Sequence, residues 1–218
     1  MRIACIAYRE WAINIYKEIQ KSFDNTYEIL LITSNFETHE KEISNFNPDI
    51  ILWYGWSNII SNRFINNYFS VMLHPSPLPK YRGGSPIQNQ IINGEERSAV
   101  TLFKMNNKID EGDIIFQKEF SLTGELDSIF KRIIKTGIEL TKEMIYNFNS
   151  LNFIRQEESQ ATFFSRRKPE QSEITLEELK NSTSLQLYNK IRALQDPYPN
   201  AFIKDKNGNK LFLIKAKL

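Results

Sequence analysis

The stretch Leu73-His74-Pro75-Ser76-Pro77-Leu78-Pro79-Lys80-Tyr81-Arg82-Gly83-Gly84-Ser85-Pro86-Ile87-Gln88 organises the rest of the chain. An apolar run over residues 68–73 precedes it and is typical of a buried strand. The prolines that alternate within it fix φ and remove backbone donors, so we expect a stiff loop. Ser85-Pro86 is typical of a helix start and predicts a helix over residues 86–93. His74 therefore lies at the carboxyl end of a strand, where open α/β sheets bind ligands.

Short apolar runs alternate with amphipathic segments on both sides of this stretch. This alternation predicts an α/β fold, a Rossmann-like and mostly parallel sheet with helices on both faces. At 218 residues and 41% hydrophobic content, the chain can bury one full core. The predicted strands are residues 3–8, 27–33, 50–54, 68–73, 98–105 and 114–120, and the predicted helices are 10–22, 58–67, 86–93 and 125–149, with a short helix within 34–47.

The pattern changes after residue 150. A helix over 185–194 and two strands around Asn207-Gly208 predict a small C-terminal helix and β-hairpin extension. We therefore divide the chain into a catalytic domain of residues 1–150 and an extension of residues 151–218. An apolar hairpin is marginal alone in water, so we expect this extension to form the interface of a homodimer.

Composition excludes several classes of protein. The chain has 28 basic and 26 acidic residues, a net charge of +2, so its bulk charge calls for neither nucleic acid nor an anionic membrane. No apolar run approaches the roughly 18 residues of a membrane span. Cys5 is the single cysteine, which excludes an internal disulfide or thiol metal cluster and suits a cytoplasmic setting.

Two further sequence features bear on cofactors. His39 lies among Glu37, Glu40 and Glu42, but a solvated surface run explains this group better than a metal site, and we predict no metal. The sequence contains neither Gly-x-Gly-x-x-Gly nor a Gly-Lys-Ser/Thr phosphate loop. NAD and ATP are therefore not expected as cofactors.

The central stretch resembles the active-site segment of the folate-dependent formyltransferases. The resemblance rests on the order and spacing of the following residues: His74, Ser76, Leu78-Pro79, Tyr81-Arg82-Gly83, the strand at 99–103 and Ile109-Asp110-Glu111-Gly112-Asp113. Segments 161–169 and 191–199 resemble the branch of this family that formylates nucleotide-linked amino sugars. One position departs from the pattern, because Met72 stands where the family has an asparagine that helps to hold the developing oxyanion. A thioether donates no hydrogen bond.

The resemblance implies an activity. It implies formyl transfer from 10-formyltetrahydrofolate to the amine of a nucleotide-linked aminodeoxy sugar, such as a 4-amino-4,6-dideoxyhexose on dTDP or UDP. Such products enter bacterial surface glycans, including the O-antigen of lipopolysaccharide. His74 and Asp110 would be the catalytic residues, since the reaction needs proton transfer and stabilisation of an oxyanion.

The resemblance also suggests binding residues. Folate contacts are expected at Tyr54, Gly55, Trp56 and Asp110, although a core aromatic cluster explains Trp56 equally well. Cationic side chains such as Lys80 could meet a diphosphate, and the glutamines could reach sugar hydroxyls or a base edge. The expected substrate contacts are Arg9, Lys80, Tyr81, Arg82, Gly83, Gln88 and Gln90. For Arg9, a position in a solvated turn is as good an explanation as ligand contact. For Arg82, hydrogen bonds that brace the loop are as good an explanation as ligand contact.

Three other functions compete with this interpretation. Methionyl-tRNA formyltransferases usually carry a sizeable basic second domain, whereas residues 150–218 are all that follows the long predicted helix. A glycinamide ribonucleotide formyltransferase fits the length but would not be expected to carry the segments at 161–169 and 191–199. A non-catalytic folate or nucleotide-sugar binding protein would keep the pocket but would not need His74 and Asp110.

Overall fold

A computed structural model of the chain describes residues 1–23, 26–34 and 36–218. Its strands are β1 Arg2–Ile6, β2 Glu28–Ile32, β3 Ile50–Tyr54, β4 Ser70–His74, β5 Arg82–Gly83, β6 Arg97–Lys104, β7 Ile114–Ser121, β8 Phe163–Phe164, β9 Ala201–Lys204 and β10 Lys210–Leu213. Its α-helices are α1 Glu10–Phe23, α2 Glu40–Phe46, α3 Asn62–Asn67, α4 Pro86–Ile92, α5 Leu126–Tyr146, α6 Leu176–Asn181 and α7 Ser184–Ala193.

The central sheet confirms the predicted fold class. It has six strands in the order β2-β1-β3-β4-β6-β7. β1 pairs in parallel with β2 and β3, and β3 pairs in parallel with β4. β6 runs antiparallel to both β4 and β7, so the sheet is parallel on one side and antiparallel at the other edge.

The sheet buries both of its faces. Alternate residues of β1 enter different cores, because successive side chains of a strand point to opposite faces. Ile3 and Cys5 join a core that includes residues of α1, α4 and α5, whereas Ala4 and Ile6 join one that includes residues of α2 and α3. This arrangement confirms the prediction of helices on both faces and leaves the strand ends free to carry a site.

Helix α1 is fixed to the sheet near these strand ends. Its apolar residues recur at helical spacing, and Tyr16 is fully buried on the inner face. The Tyr16 hydroxyl donates to the carbonyl of Leu52 at 2.7 Å and accepts from the backbone N–H of Tyr54 at 2.8 Å. These bonds hold the β1–α1 turn, which carries Arg9, beside the end of β3.

Local predictions failed where distant contacts decide the backbone. The helix expected over 58–67 is shorter, because α3 begins only at Asn62. Ser85 precedes α4 as predicted but has φ of +53° and makes no side-chain cap bond. Its Oγ instead accepts from the backbone N–H of Arg167 at 3.1 Å. A tertiary partner has displaced the expected cap.

The C-terminal segment contains the predicted helix and antiparallel hairpin, together with the unpredicted helix α6. Ile174, Ile191, Leu194 and Ala201 form a small core of their own. Arg192 joins this part to the main body by donating to the carbonyl of Leu122 at 2.6 Å. None of the helices described combines the length and the hydrophobicity that a membrane crossing requires.

Candidate active site

A cleft of about 670 Å³ opens at the carboxyl ends of β1, β3 and β4. Arg9, Trp56 and His74 follow or end these strands, and each of them lines the cleft. The carboxyl ends of parallel strands meet at one edge of a sheet, which is why residues far apart in sequence converge here. The first turn of α4 and the segments around residues 57–65, 106–110, 163–169 and 197–199 also line it.

His74 ends β4 and is only 6% exposed. Its Nε2 lies 2.8 Å from the carbonyl oxygen of Tyr81. A carbonyl oxygen only accepts, so Nε2 carries the hydrogen and the neutral ring keeps its lone pair on Nδ1. That Nδ1 lies 3.6 Å from Oδ2 of Asp110, which is ion-pair range for a protonated ring but long for a hydrogen bond.

Asp110 lies in the turn between β6 and β7, with φ of +53°. Its Oδ2 accepts from the backbone N–H of Gly83 at 2.8 Å, which joins the turn to the loop that follows His74. The turn is closely packed, because a Cβ at Gly112 would lie 1.7 Å from the carbonyl oxygen of Lys104. The carboxylate therefore has a fixed position relative to the imidazole.

A hydrogen-bond network around Arg82 supports this pair. Arg82 is 3% exposed, and its Nε and Nη2 donate to Oε1 of Gln156 at 3.0 and 2.9 Å. Gln156 Nε2 in turn donates to the carbonyls of Asp110 at 2.8 Å and Gly112 at 2.7 Å. Arg82 also pairs with Glu158 at 2.8 Å and holds the pKa of that carboxyl below its usual range. We call these residues the Arg82 network.

The structure brings most of the expected site residues to the cleft but not all of them. Those that line it are Arg9, Gly55, Trp56, His74, Gly83, Gln88 and Asp110. The carboxamide oxygen of Gln88 is buried without a hydrogen-bond partner in the described chain. Gly83 has φ of +89° and could carry no side chain, since a Cβ there would lie 2.3 Å from the carbonyl oxygen of Phe164.

Tyr54 and Gln90 lie away from the cleft, which corrects the contacts expected for them. Tyr54 is fully buried in the core, and its hydroxyl hydrogen-bonds that of Thr141 at 3.0 Å. Gln90 is also fully buried and donates through Nε2 to the carbonyls of Pro75 and Pro86. Both side chains support the scaffold.

Lys80, Tyr81 and Arg82 also lie outside the cleft lining. Lys80 is exposed and is not part of the lining. The Tyr81 ring stacks on Phe164 at 4.9 Å, and its hydroxyl donates to Glu95 at 2.8 Å. Arg82 has the bracing role that was the alternative to ligand contact. The diphosphate contacts expected from Lys80 and Arg82 are therefore not available from these positions.

One side of the cleft is apolar, and we call it the apolar wall. Met72 and Met105 pack there against a cluster that contains Phe103. Trp56 contacts Tyr8 edge to face at 5.4 Å and Trp53 at 6.0 Å, so it belongs to an aromatic cluster and lines the cleft as well. The apolar wall consists of Trp56, Ile60, Ile65, Met72, Phe103 and Met105.

Sequence reasoning missed several residues of the site. Gln156 carries no local signal, since its partners are 44 to 74 positions away. Ser57, Arg166, Arg167 and Tyr198 all line the cleft. Arg166 and Arg167 fall within segment 161–169, whose resemblance to the family implies no role for them. The convergence of these residues on the cleft depends on tertiary packing.

His39 makes surface contacts. Its Nδ1 lies 2.7 Å from a carboxylate oxygen of Glu42, and its Nε2 lies 2.9 Å from the Ser34 hydroxyl. The side chain of Glu37 lies outside the described residues. Among the residues that are described, no group of three His, Cys, Asp or Glu side chains is placed to hold a metal ion.

Comparison with known proteins gives a consistent family. Residues 31–140 match the formyl transferase family. A methionyl-tRNA formyltransferase of Ehrlichia canis is 30% identical over 184 residues, which are 83% of this chain and 57% of that protein. The chain thus spans little more than half the length of such curated relatives.

Solved structures extend the comparison to the fold. The methionyl-tRNA formyltransferase from Clostridium thermocellum has a TM-score of 0.84 and 31% identity, covering 99% of this chain and 98% of that one. A 4-N formyltransferase from Francisella tularensis has a TM-score of 0.80 and 23% identity, covering 100% and 98%. The second similarity is one of fold alone.

Proposed function

The chain belongs to the formyl transferase family, and on that premise we propose that it transfers a formyl group from 10-formyltetrahydrofolate to a primary amine. One observation carries the proposal. His74 and Asp110 lie 3.6 Å apart on the cleft, with the lone pair of the neutral imidazole on the nitrogen nearer the carboxylate. A non-catalytic binding protein would not need this arrangement.

The two side chains can manage the proton that the amine must lose. Nδ1 of His74 accepts it as general base, because Nε2 is already committed to the carbonyl of Tyr81. Asp110 then lies within ion-pair distance of the imidazolium. The same Nδ1–H can return the proton to the departing nitrogen. Bound 10-formyltetrahydrofolate would supply the formyl group: the bond from the acceptor nitrogen to the formyl carbon would form, and the bond from that carbon to N10 of the folate would break. No protein group has to form a covalent bond.

The apolar wall suits a flat pterin ring. Trp56, Ile60 and Met72 present hydrophobic surface, and the 106–110 segment adds backbone groups that can orient ring nitrogens. Trp56 has one edge in the aromatic cluster, which fixes its orientation. We therefore assign the folate to this side of the cleft, close to Gly55 and Asp110.

We infer that the acceptor is a nucleotide-linked amino sugar, such as a 4-amino-4,6-dideoxyhexose on dTDP or UDP. Two features support a small acceptor with a local negative charge. The chain carries a net charge of only +2, yet Arg9, Arg166 and Arg167 line one cleft. The unpartnered carboxamide oxygen of Gln88 can accept from a sugar hydroxyl or a base edge. Such a product would enter surface glycan synthesis in the cytoplasm.

Methionyl-tRNA is the second candidate acceptor. It is favoured by the relatives at 30–31% identity, both of which bear the name methionyl-tRNA formyltransferase. The chemistry at His74 would be the same for both acceptors. They differ in what must be recognised beyond the amine, a single nucleotide in one case and a folded RNA in the other.

A transfer assay separates these candidates. The protein is incubated with 10-formyltetrahydrofolate and, in parallel, with nucleotide-linked amino sugars, methionyl-tRNA and glycinamide ribonucleotide, and each acceptor is examined by mass spectrometry. We expect one sugar to gain one formyl group and the His74→Asn variant to give none. Formylation of methionyl-tRNA with no change in any sugar would overturn the sugar assignment. Folate binding without any product would indicate a binding protein.

A further inference from the structure

Four side chains from three segments form a second wall of the cleft. Arg9 follows β1, Arg166 and Arg167 follow β8, and Tyr198 precedes β9. All four line the cleft that contains His74. We call Arg9, Arg166, Arg167 and Tyr198 the cationic wall.

The loop after His74 sets the position of this wall. A Cβ at Gly84 would lie 2.4 Å from the backbone of Arg166, so the two segments touch and only glycine fits between them. The neighbouring Ser85 Oγ accepts from the backbone N–H of Arg167 at 3.1 Å. The arginine pair is therefore held beside the loop that follows His74.

Arg9 and Arg166 act on the same small region. Arg166 donates through Nη2 to Oγ of Ser57 at 3.1 Å, and that hydroxyl also hydrogen-bonds Tyr8. The Arg9 guanidinium lies 5.3 Å from the centre of the Tyr8 ring. Burial raises the pKa of Tyr8, but the Ser57 bond and the two arginines together hold it below its usual value. Two positive charges are thus concentrated around one edge of the cleft.

Tyr198 is influenced by the same two arginines. Burial raises its pKa to about 12, and the charges of Arg9 and Arg166 act in the opposite direction. Its hydroxyl therefore stays protonated at neutral pH and is available as a further donor. Arg167 donates through Nη2 to the carbonyl of Gln171 at 2.7 Å, while its buried Nε has no hydrogen-bond partner.

No carboxylate neutralises this wall directly. Within the described chain, none of its three arginines forms an ion pair with an acidic group. Glu178 acts on Arg167 electrostatically but does not pair with it, and burial lowers the pKa of Arg167. Like charges held together without an acidic partner repel one another, so an anion that enters the cleft relieves this repulsion.

We propose that the cationic wall binds the diphosphate of the acceptor nucleotide, with Arg166 as its principal contact. This inference rests on the proposed function and replaces the phosphate contacts expected from Lys80 and Arg82. Arginine is suited to the role because its planar donors bind phosphate oxygens in pairs. Donors that converge from three segments match an anion with oxygens on two phosphorus atoms.

The glutamate tail of folate is a second source of negative charge. A carboxylate would present the same chemistry to Arg166, so the two sources must be separated by experiment. The diphosphate is favoured because three arginines converge on one cleft and the apolar wall is available for the pterin. An RNA phosphate is disfavoured, since a recess of about 670 Å³ suits a small ligand better than a duplex.

Calorimetric titration tests the proposal without turnover. The probes are dTDP, UDP, the parent nucleosides, 5-formyltetrahydrofolate and the same folate without its glutamate. We expect one nucleoside diphosphate to bind the wild-type chain and its affinity to fall by about tenfold or more in Arg166→Gln, since a charge-assisted bond is lost. Arg166→Lys should retain part of the affinity, and folate affinity should not change.

Arg97→Gln is the matched control. Arg97 is an exposed arginine paired with Glu119 at 2.8 Å, away from the cleft. Its replacement should leave every titration unchanged, and thermal melting should show that all variants are folded. With the amino sugar as substrate, Arg166→Gln should raise KM more than it lowers kcat.

Several results would overturn the diphosphate site. One is equal affinity of the wild type and Arg166→Gln for every nucleoside diphosphate, and another is no binding to the wild type at all. Loss of folate affinity in Arg166→Gln that disappears when the glutamate is removed would assign the wall to folate. If Arg166→Gln loses diphosphate binding but the wild-type protein formylates no sugar, the diphosphate site is supported and the proposed reaction is refuted. If Arg166→Gln formylates the sugar with an unchanged KM, the diphosphate site is refuted but the proposed reaction is not.

Discussion

The Arg82 network and the cationic wall both adjoin the loop that follows His74, and their arginines differ in whether the charge has an acidic partner. In the Arg82 network the guanidinium is buried and bonded to Gln156 and Glu158. In the cationic wall, Arg9 and Arg166 lie at the cleft without an acidic partner in the described chain. Residue type alone does not distinguish the two roles, since Arg82, Arg9 and Arg166 are all arginines in loops or short elements.

The difference between the two regions shows how partners indicate a role. Arg82 donates through Nε and Nη2 to Gln156, which in turn bonds the carbonyl of Asp110 and helps to fix its turn, and it also pairs with Glu158. Arg166 donates one hydrogen bond to the hydroxyl of Ser57, and its other N–H groups remain for a ligand in the cleft. The first region should therefore control stability and the geometry of catalysis, and the second should control affinity for an anion.

The largest expected effect concerns the pair that the Arg82 network supports. His74→Asn should lower kcat by at least about 10³, because general acid–base catalysis alone contributes 10² to 10⁴. Asp110→Asn should cost nearly as much, and the double variant little more, since residues that act as a unit are not additive. Single-turnover rates with bound 10-formyltetrahydrofolate measure this. A fully active His74→Asn enzyme would remove the mechanism.

Replacement of Arg82 should have the next largest effect, on stability. Arg82→Met leaves the buried Oε1 of Gln156 without a donor, which should lower the free energy of unfolding by about 1 to 3 kcal/mol. Arg166→Met should leave it nearly unchanged, because no buried group loses its partner. Urea denaturation at one pH measures both. Equal destabilisation by the two substitutions would remove the distinction between the regions.

Arg97→Met is the control for these substitutions. The Arg97 and Glu119 side chains are 71% and 67% exposed, and exposed pairs contribute about 0 to 1 kcal/mol. Activity provides a second readout, since Arg82→Met should also lower kcat by displacing Asp110. A destabilised Arg82→Met enzyme with unchanged kcat would show that the network holds the loop but does not position the carboxylate.

The hairpin extends the comparison from charged side chains to exposed apolar ones. Leu211, Phe212 and Ile214 are 61%, 52% and 54% exposed, whereas Phe202 beside them is buried. We expect this surface to be covered by a second copy of the chain, as C2 pairing commonly does. Phe212→Glu should then convert a dimer to a monomer by light scattering, while Tyr146→Glu, also at an exposed site, should not. A wild-type monomer would refute the dimer.

The sequence predicted those parts of the fold and site that depend on local pattern. The periodicity of residues 10–22 specifies α1. The family resemblance, and not the local pattern, pairs His74 with Asp110, and the structure places the two side chains 3.6 Å apart. The predictions were wrong where a residue distant in sequence determines the local hydrogen bonds. Ser85 bonds the backbone of Arg167 and so does not cap α4, and Arg82 finds Gln156, 74 positions away.

The smallest expected effect concerns Met72, where the chain departs from the family pattern. Val71 and Leu73 point into one core, so Met72 points to the opposite face of β4, the face that His74 also shares by the two-residue period of a strand. An amide at position 72 would thus lie on the cleft side, near the imidazole. Because Met72 is only partly buried, the amide could be hydrated before ligand binds.

Met72→Asn should therefore be tolerated, with a loss of unfolding free energy of about 1 kcal/mol from the removed apolar contact with the cluster that contains Phe103. Its kcat should rise, at most by the factor of about 10² that one oxyanion donor can contribute, because the amide adds a donor where the thioether has none. Met72→Leu is the control, since it keeps the apolar contact without a donor and should leave kcat unchanged. Both are measured as kcat at saturating folate and sugar. If Met72→Asn and Met72→Leu lower kcat equally, the thioether itself contributes to the folate contact, and the shape of the cleft depends on it.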